Sequence, residues 1–260
     1  MSNGTGTLIA HCGTSKISRE DLKLLATPEP TRTHQPVSHY GIVEALLETL
    51  SFRHIAVVRD EYAVSPDGLK MFGVLDLDYE FTGCCFSIGI RNANDKSMRL
   101  AMTVGYRVLV CDNMAFKGDF TPVLAKHTKS LNLIDSISVG VDKIQRNFEP
   151  LKLQVRDWQG YRLEDKDAKL VIYDAFMDSK LGAPKALMPI VHQQYFDPAL
   201  EPFRSRTLWS LSNAFTSAFK GLKPVKQFQV TAKLGDFLGK LSAILPSADD
   251  TPVEALAISD

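Results

Sequence analysis

Apolar positions along this chain follow one period up to about Gly118 and another beyond it. Ile42, Val43, Leu46, Leu47 and Leu50 recur at helical spacing behind Ser38, so a helix is predicted over Ser38–Leu50 with Ser38 as its cap. Four stretches rich in β-branched and aromatic residues follow: Phe52–Val64, Lys70–Tyr79, Phe81–Arg91 and Arg99–Cys111. Turn residues part them at Pro66-Asp67-Gly68, around Tyr79–Gly83, and at Asn92-Ala93-Asn94-Asp95-Lys96-Ser97. Connections this short imply antiparallel pairing, since a parallel return needs a long crossover. After Gly118 the spacing is helical, over Leu131–Phe148, continuing through Leu151–Trp158 with a bend at Pro150, then Glu164–Leu181, Pro184–Phe196, Thr207–Leu222 and Lys226–Leu245.

The expected fold class is therefore α+β: an antiparallel meander sheet of about four strands, preceded by a helix and followed by a helical C-terminal half. Residues 1–35 read as an irregular N-terminal arm, broken by glycines and prolines, with one short helical turn near Ser18–Leu25. A single α+β domain is expected over 36–245, with the sheet in 52–118 and the helical part in 131–245, because one antiparallel sheet needs helices to cover its apolar face. The acidic stretch 246–260 reads as a mobile tail.

Composition narrows the function classes. Thirty Lys and Arg balance thirty Asp and Glu in 260 residues, which argues against a broadly basic nucleic-acid coat and leaves room for a local basic face. No apolar run is long enough to span a bilayer and no signal peptide is evident at the start, so a cytoplasmic location without membrane contact is the expectation. Cys12, Cys84, Cys85 and Cys111 form no C-x-x-C pair and read as buried thiols. Phosphate-loop, dinucleotide and zinc-protease motifs are absent, and no cofactor or metal is expected.

Four groups of residues carry candidate chemistry. Arg91, Asn94, Asp95 and Arg107 cluster near strand ends and make either an anion-binding groove or a turn in which Asn and Asp bond to backbone. Asp76, Asp78 and Glu80 form a D-x-D-x-E row. A divalent cation is one reading of it; the solvent face of a strand whose Leu75, Leu77, Tyr79 and Phe81 point inward is the other. Cys111 is a conceivable nucleophile only if a histidine such as His127 is brought to it; the alternative is a buried cysteine ending a strand before an Asx turn at Asp112-Asn113. Basic and aromatic residues also recur together, as in Arg146, Lys152, Arg156 and Trp158, the residue mix of single-strand binding grooves, though acidic residues interrupt the run.

Arg91-Asn92-Ala93-Asn94-Asp95-Lys96, Gly105-Tyr106-Arg107-Val108, Val110-Cys111-Asp112-Asn113-Met114 and the later run from Thr207-Leu208-Trp209 to Asn213-Ala214-Phe215-Thr216 together resemble the domain-of-unknown-function 932 family of phage/plasmid-like proteins. The resemblance implies association with mobile genetic elements and no settled activity. The order helix, meander, long helix is also similar to the core of Rad52-like single-strand annealing proteins. The function expected on that analogy is non-enzymatic binding of single-stranded DNA in an annealing role, as a homo-oligomer. The candidate nucleic-acid-binding residues are Arg91, Lys96, Arg99, Arg107, Arg146, Lys152 and Arg156, with Arg99 and Arg107 expected on one strand face. Two alternatives stand beside it: a protein-binding or counter-defence protein, and an enzyme using Cys111 or the acidic row.

Overall fold

A computed structural model describes residues 15–111, 113–116, 123–178 and 181–244. The expected tail at 246–260 and the first part of the N-terminal arm lie outside the described residues. The chain divides into two compact units. One holds the described residues up to Leu153 with Phe219–Asp236; the other holds Gln154–Ala218 with the described residues from Phe237.

The first unit is built on an antiparallel sheet. Strand β1 (Ser15–Ile17) leads through helix α1 (Arg19–Lys23) and an extended arm to helix α2 (His39–Phe52). Strands β2 (Val57–Val64), β3 (Lys70–Phe81), β4 (Cys84–Ala93) and β5 (Leu100–Val108) then form the meander, each antiparallel to the one before. Two short strands, β6 (Met114–Phe116) and β7 (Val123–Ala125), pair with opposite ends of β5. Helix α3 (Leu133–Arg146) follows, then α4 (Phe148–Gly160). The α+β class and the helix that precedes the meander are as the pattern predicts. The described sheet has seven strands rather than about four, because β1, β6 and β7 are three residues each, too short for a period to register. Ser38 caps α2 by accepting a hydrogen bond from the Gly41 amide at 3.2 Å. The helix runs on to Phe52, so β2 begins later than its composition suggests. At Pro150 there is no bend in a single helix: Asn147 closes α3, and Pro150 sits in the first turn of α4, where a missing N–H costs nothing.

Register fixes which side chains share a sheet face. Leu75, Ile88 and Val104 lie on one rung and Ile90 and Met102 on the next, all buried. The apolar stripes of α2 (Ile42, Val43, Leu46, Leu50) and of α3 (Ile137, Val141, Ile144) are buried as well, and α3 lies against α2, β5 and β7. Full burial of each such side chain contributes about 1.5–3 kcal/mol. The opposite face carries Val74, Met114 and Phe116 as an apolar cluster, and among them a set of charges. Asp76 belongs to that face. The expectation that Asp76 shares a solvent face with Asp78 and Glu80 is therefore corrected: Asp76 is 3% exposed and both faces of β3 are covered at its centre. Beyond Asp76 the register shifts, and there Asp78, Tyr79 and Glu80 are exposed while Phe81 turns in. Tyr79 and Phe81 both stack on Phe86, at 5.2 and 4.3 Å, so the two rings share a face, with Phe81 buried and Tyr79 40% exposed.

The second unit is helical, with α5 (Asp165–Met177), α6 (Met188–Phe196) and the greater part of α7 (Leu208–Phe219); α8 (Pro224–Ser242) completes the described chain. Phe176 and Phe215 stack at 5.8 Å in its core. Arg206, held at φ 49°, donates to the carbonyls of Tyr195 at 2.6 Å and Phe196 at 3.0 Å, which satisfies the end of α6. Among the described residues no helix is long and apolar enough to cross a membrane.

Candidate functional site

The turn between β4 and β5 is rigid despite its polar sequence. Asn94 behaves like a strand partner to the arm: its Oδ1 accepts from the Val37 amide at 3.0 Å and its Nδ2 donates to the Val37 carbonyl at 3.0 Å. The Asn94 amide donates to Leu69 at 2.8 Å, so the turn is tied on both sides. Asp95 accepts from the amide and hydroxyl of Ser97 and forms an ion pair with Lys70 at 3.1 Å. Lys96 takes the left-handed conformation at φ 69° and stands exposed at the tip, with Arg99 exposed just before β5. The local reading of this segment as an Asx-stabilised turn describes Asn94 and Asp95; Lys96 and Arg99 point outward from it.

Two distant segments complete a cleft around those cations. β7 pairs with Leu100–Met102, and this pairing delivers Lys126, His127 and Thr128 beside Met98 and Arg99. The arm returns at Thr33 and His34, where the Gln35 amide donates to the His127 carbonyl at 3.0 Å. The result is a recess of about 390 Å³ whose charged lining is Lys96, Arg99 and Lys126, with Thr33, Ser97 and Thr128 supplying hydroxyls. No carboxylate lines it. Its buried wall is a pair of imidazoles, His34 and His127, stacked at 5.4 Å with ring planes 9° apart. His34 Nε2 lies 3.1 Å from the Asn94 carbonyl, whereas neither ring nitrogen of His127 has a hydrogen-bond partner. Burial, with the neighbouring His34 and His39, pushes the His127 pKa below the ordinary 6.5. His39 is lowered too, by burial. Its Nε2 meets the Gly68 carbonyl at 3.0 Å, and its Nδ1 meets Asn92 Nδ2 at 2.9 Å.

The other predicted site residues are dispersed. Arg107 is 2% exposed and belongs to the interior, a correction to its expected place on a binding surface. Its Nε pairs with Asp76 Oδ2 at 2.7 Å, and its Nη2 lies 4.0 Å from Glu61 Oε2. Ser87 donates to Asp76 at 2.7 Å, and Glu61 also takes Arg59 at 2.9 Å and Lys16 at 3.3 Å. A buried arginine persists because its carboxylate partners are buried with it. Arg91 is half-buried, and burial lowers its pKa. It faces Ala101 in the ladder while Arg107 faces Cys85, so six residues, or about 20 Å, separate the two arginines along the strands. Arg99 precedes β5, so the alternation that would align it with Arg107 does not reach it. Arg146 is exposed in the last turn of α3, where a cation complements the helix terminus. Lys152 pairs with Glu149 one turn away at 3.4 Å, and Arg156 is exposed in the second unit.

The catalytic alternatives gain no geometry. His127 is in the basic recess, and the Cys111 carbonyl accepts a hydrogen bond from Lys220. Cys84 and Cys85 are buried thiols pushed up to about 12 and about 11. Among the described residues no group of three or more His, Cys, Asp and Glu side chains is placed to hold a metal ion. Comparison with protein-family models, with curated proteins and with solved structures finds no match.

Proposed function

We propose that this chain is a non-enzymatic binding protein for single-stranded nucleic acid, with the Lys96–Arg99–Lys126 recess as its phosphate contact. The observation that carries the reading is the lining: three cations, three hydroxyls and no carboxylate in one concavity of a chain without net charge. Cations in a recess act through a lower effective dielectric than cations on an open surface, so their pull on a phosphate is less screened. An annealing role, a mobile-element setting and a homo-oligomer belong to the same proposal. They rest on the resemblance of the central segments and on the order α2, meander, α3.

The test is fluorescence anisotropy with a labelled oligothymidine across a salt series. Each phosphate neutralised on a single strand contributes roughly −0.7 to the slope of log affinity against log salt. K96A/R99A/K126A, all exposed positions, should reduce that slope and the affinity while the protein stays folded. Absence of binding at low salt, or a triple variant that binds like the parent, overturns the reading.

A further inference from the structure

We infer that the recess takes a phosphate monoester, the terminal phosphate of a nucleic-acid strand or that of a free mononucleotide, rather than an internal phosphodiester. This rests on the reading of the recess as a phosphate site and specifies which phosphate it is.

Charge is the first argument. A monoester carries about −1.5 to −2 at neutral pH, a diester −1. Lys96, Arg99 and Lys126 present three positive charges to one volume with no carboxylate among them, which matches a dianion better than a single negative charge. Continuity is the second. A site for the interior of a strand needs a track of cations along which the backbone enters and leaves. Arg32 and Lys129, exposed beside the lining residues Thr33 and Thr128, do not line the recess, and several other cations of this unit are engaged elsewhere. Lys70 is paired with Asp95 at 3.1 Å, Arg107 is in the interior on Asp76, and Lys152 is paired with Glu149.

The wall is the third argument. The recess ends on the His34–His127 stack, and both rings are at least nine-tenths buried. A strand running past meets no such stop, whereas a chain terminus or a small ligand can end against it. His127 is 5% exposed and hydrogen-bonded through neither ring nitrogen, which leaves buried polar atoms unsatisfied at a cost to the folded state. Opening the stack towards the ligand lets one imidazole N–H donate to a terminal phosphate oxygen and relieves that cost. At about 390 Å³ the recess falls in the size range of small-ligand pockets, roughly 300–1,000 Å³.

The experiment compares four probes with the full chain at one salt concentration. Three are internally labelled oligonucleotides of one sequence, bearing a 5′-phosphate, a 3′-phosphate or no terminal phosphate; the fourth is adenosine monophosphate followed by calorimetry. We expect one phosphorylated terminus to bind roughly tenfold tighter than the hydroxyl form, about the contribution of one charge-assisted hydrogen bond. Lys126→Gln, at an exposed position, should erase the difference. His127→Gln should reduce it; Lys126→Gln decides should that variant fail to fold. A preference for one terminus identifies the source of the phosphate. Equal affinity for all three oligonucleotides, with no binding of the mononucleotide, overturns the inference and leaves single-strand binding standing. Binding of the mononucleotide, abolished by Lys126→Gln, with no binding of any oligonucleotide upholds the inference and removes the nucleic-acid reading. If no probe binds, both fall.

Discussion

Replacing Arg107 with methionine separates the role that its sequence context suggests from the one that the fold assigns. Arg107, Asp76 and Glu61 have side chains 3%, 4% and 6% exposed, so water cannot take over the lost partner. Without Arg107, Asp76 keeps the Ser87 hydroxyl at 2.7 Å and no cation among the described residues takes the place of the guanidinium, while Glu61 keeps Arg59 at 2.9 Å and Lys16 at 3.3 Å. The deficit therefore falls on Asp76. Breaking a buried pair in this way costs about 3–5 kcal/mol, a large share of the roughly 5–15 kcal/mol that holds a typical domain together. Removing both charges is a different perturbation: R107M/D76L leaves no uncompensated buried ion, and apolar replacement of a buried pair is often neutral or stabilising. Urea unfolding followed by far-ultraviolet circular dichroism should thus place R107M well below the parent and the double variant close to it. A large favourable coupling energy between the two positions is the expected outcome of the cycle. If R107M unfolds within about 1 kcal/mol of the parent and instead loses oligonucleotide affinity, Arg107 is a ligand contact and the assignment of this pair to the interior fails.

Two further outcomes follow from the sheet and from the histidines. Gly105 sits where a Cβ would come within 2.2 Å of the Ala115 carbonyl oxygen and 2.8 Å of the Phe116 ring, so G105A must push β6 off β5; a loss of about 1–3 kcal/mol in thermal or urea unfolding is expected, and an unchanged midpoint would refute the close approach. His39 and His127 have folded-state pKa values below the ordinary 6.5, so the unfolded chain takes up protons that the folded one resists. Stability should accordingly be flat above that value and decline as pH falls through it. H39Q/H127Q should lose that decline, and a parent equally stable at pH 5.5 and pH 7.5 would contradict the assignment.

How far the fold can be read along the chain depends on the range of the interactions that set it. Ser38 and the stripe Ile42, Val43, Leu46, Leu50 identify α2 because cap and stripe are local. The four long strands are legible for the same reason. Asp76 is not, because an acidic residue two before another acidic residue looks like a solvent face. Its burial is decided by Arg107, on a strand that does not even neighbour β3. The recess shows the same division. Lys96 and Arg99 stand in a polar turn and are found by composition. His34, Lys126 and His127 reach it through an arm clamped by Asn94 and through a three-residue strand on β5, and neither leaves a periodic signal. The nearest clue in the sequence is that Lys126 and His127 follow a short β-branched and aliphatic run, which carries no information about its partner.

Net charge is a poor guide to binding here because the charges are sorted by depth. Arg107 is matched inside the sheet, Lys70 is matched by Asp95 of the β4–β5 turn, and Lys152 by Glu149 on α4. Such pairs cancel at the level of composition and contribute little field outside the molecule. Lys96, Arg99 and Lys126 differ in that no acidic side chain shares their recess, so their charge is directed at whatever enters it. For an anionic ligand the relevant quantity is this local excess of three, not the zero obtained by summing 260 residues. The same sorting assigns the variants to different assays. Substitutions at Lys96, Arg99 and Lys126 should change affinity and its salt dependence, whereas those at Arg107 and Asp76 should change stability.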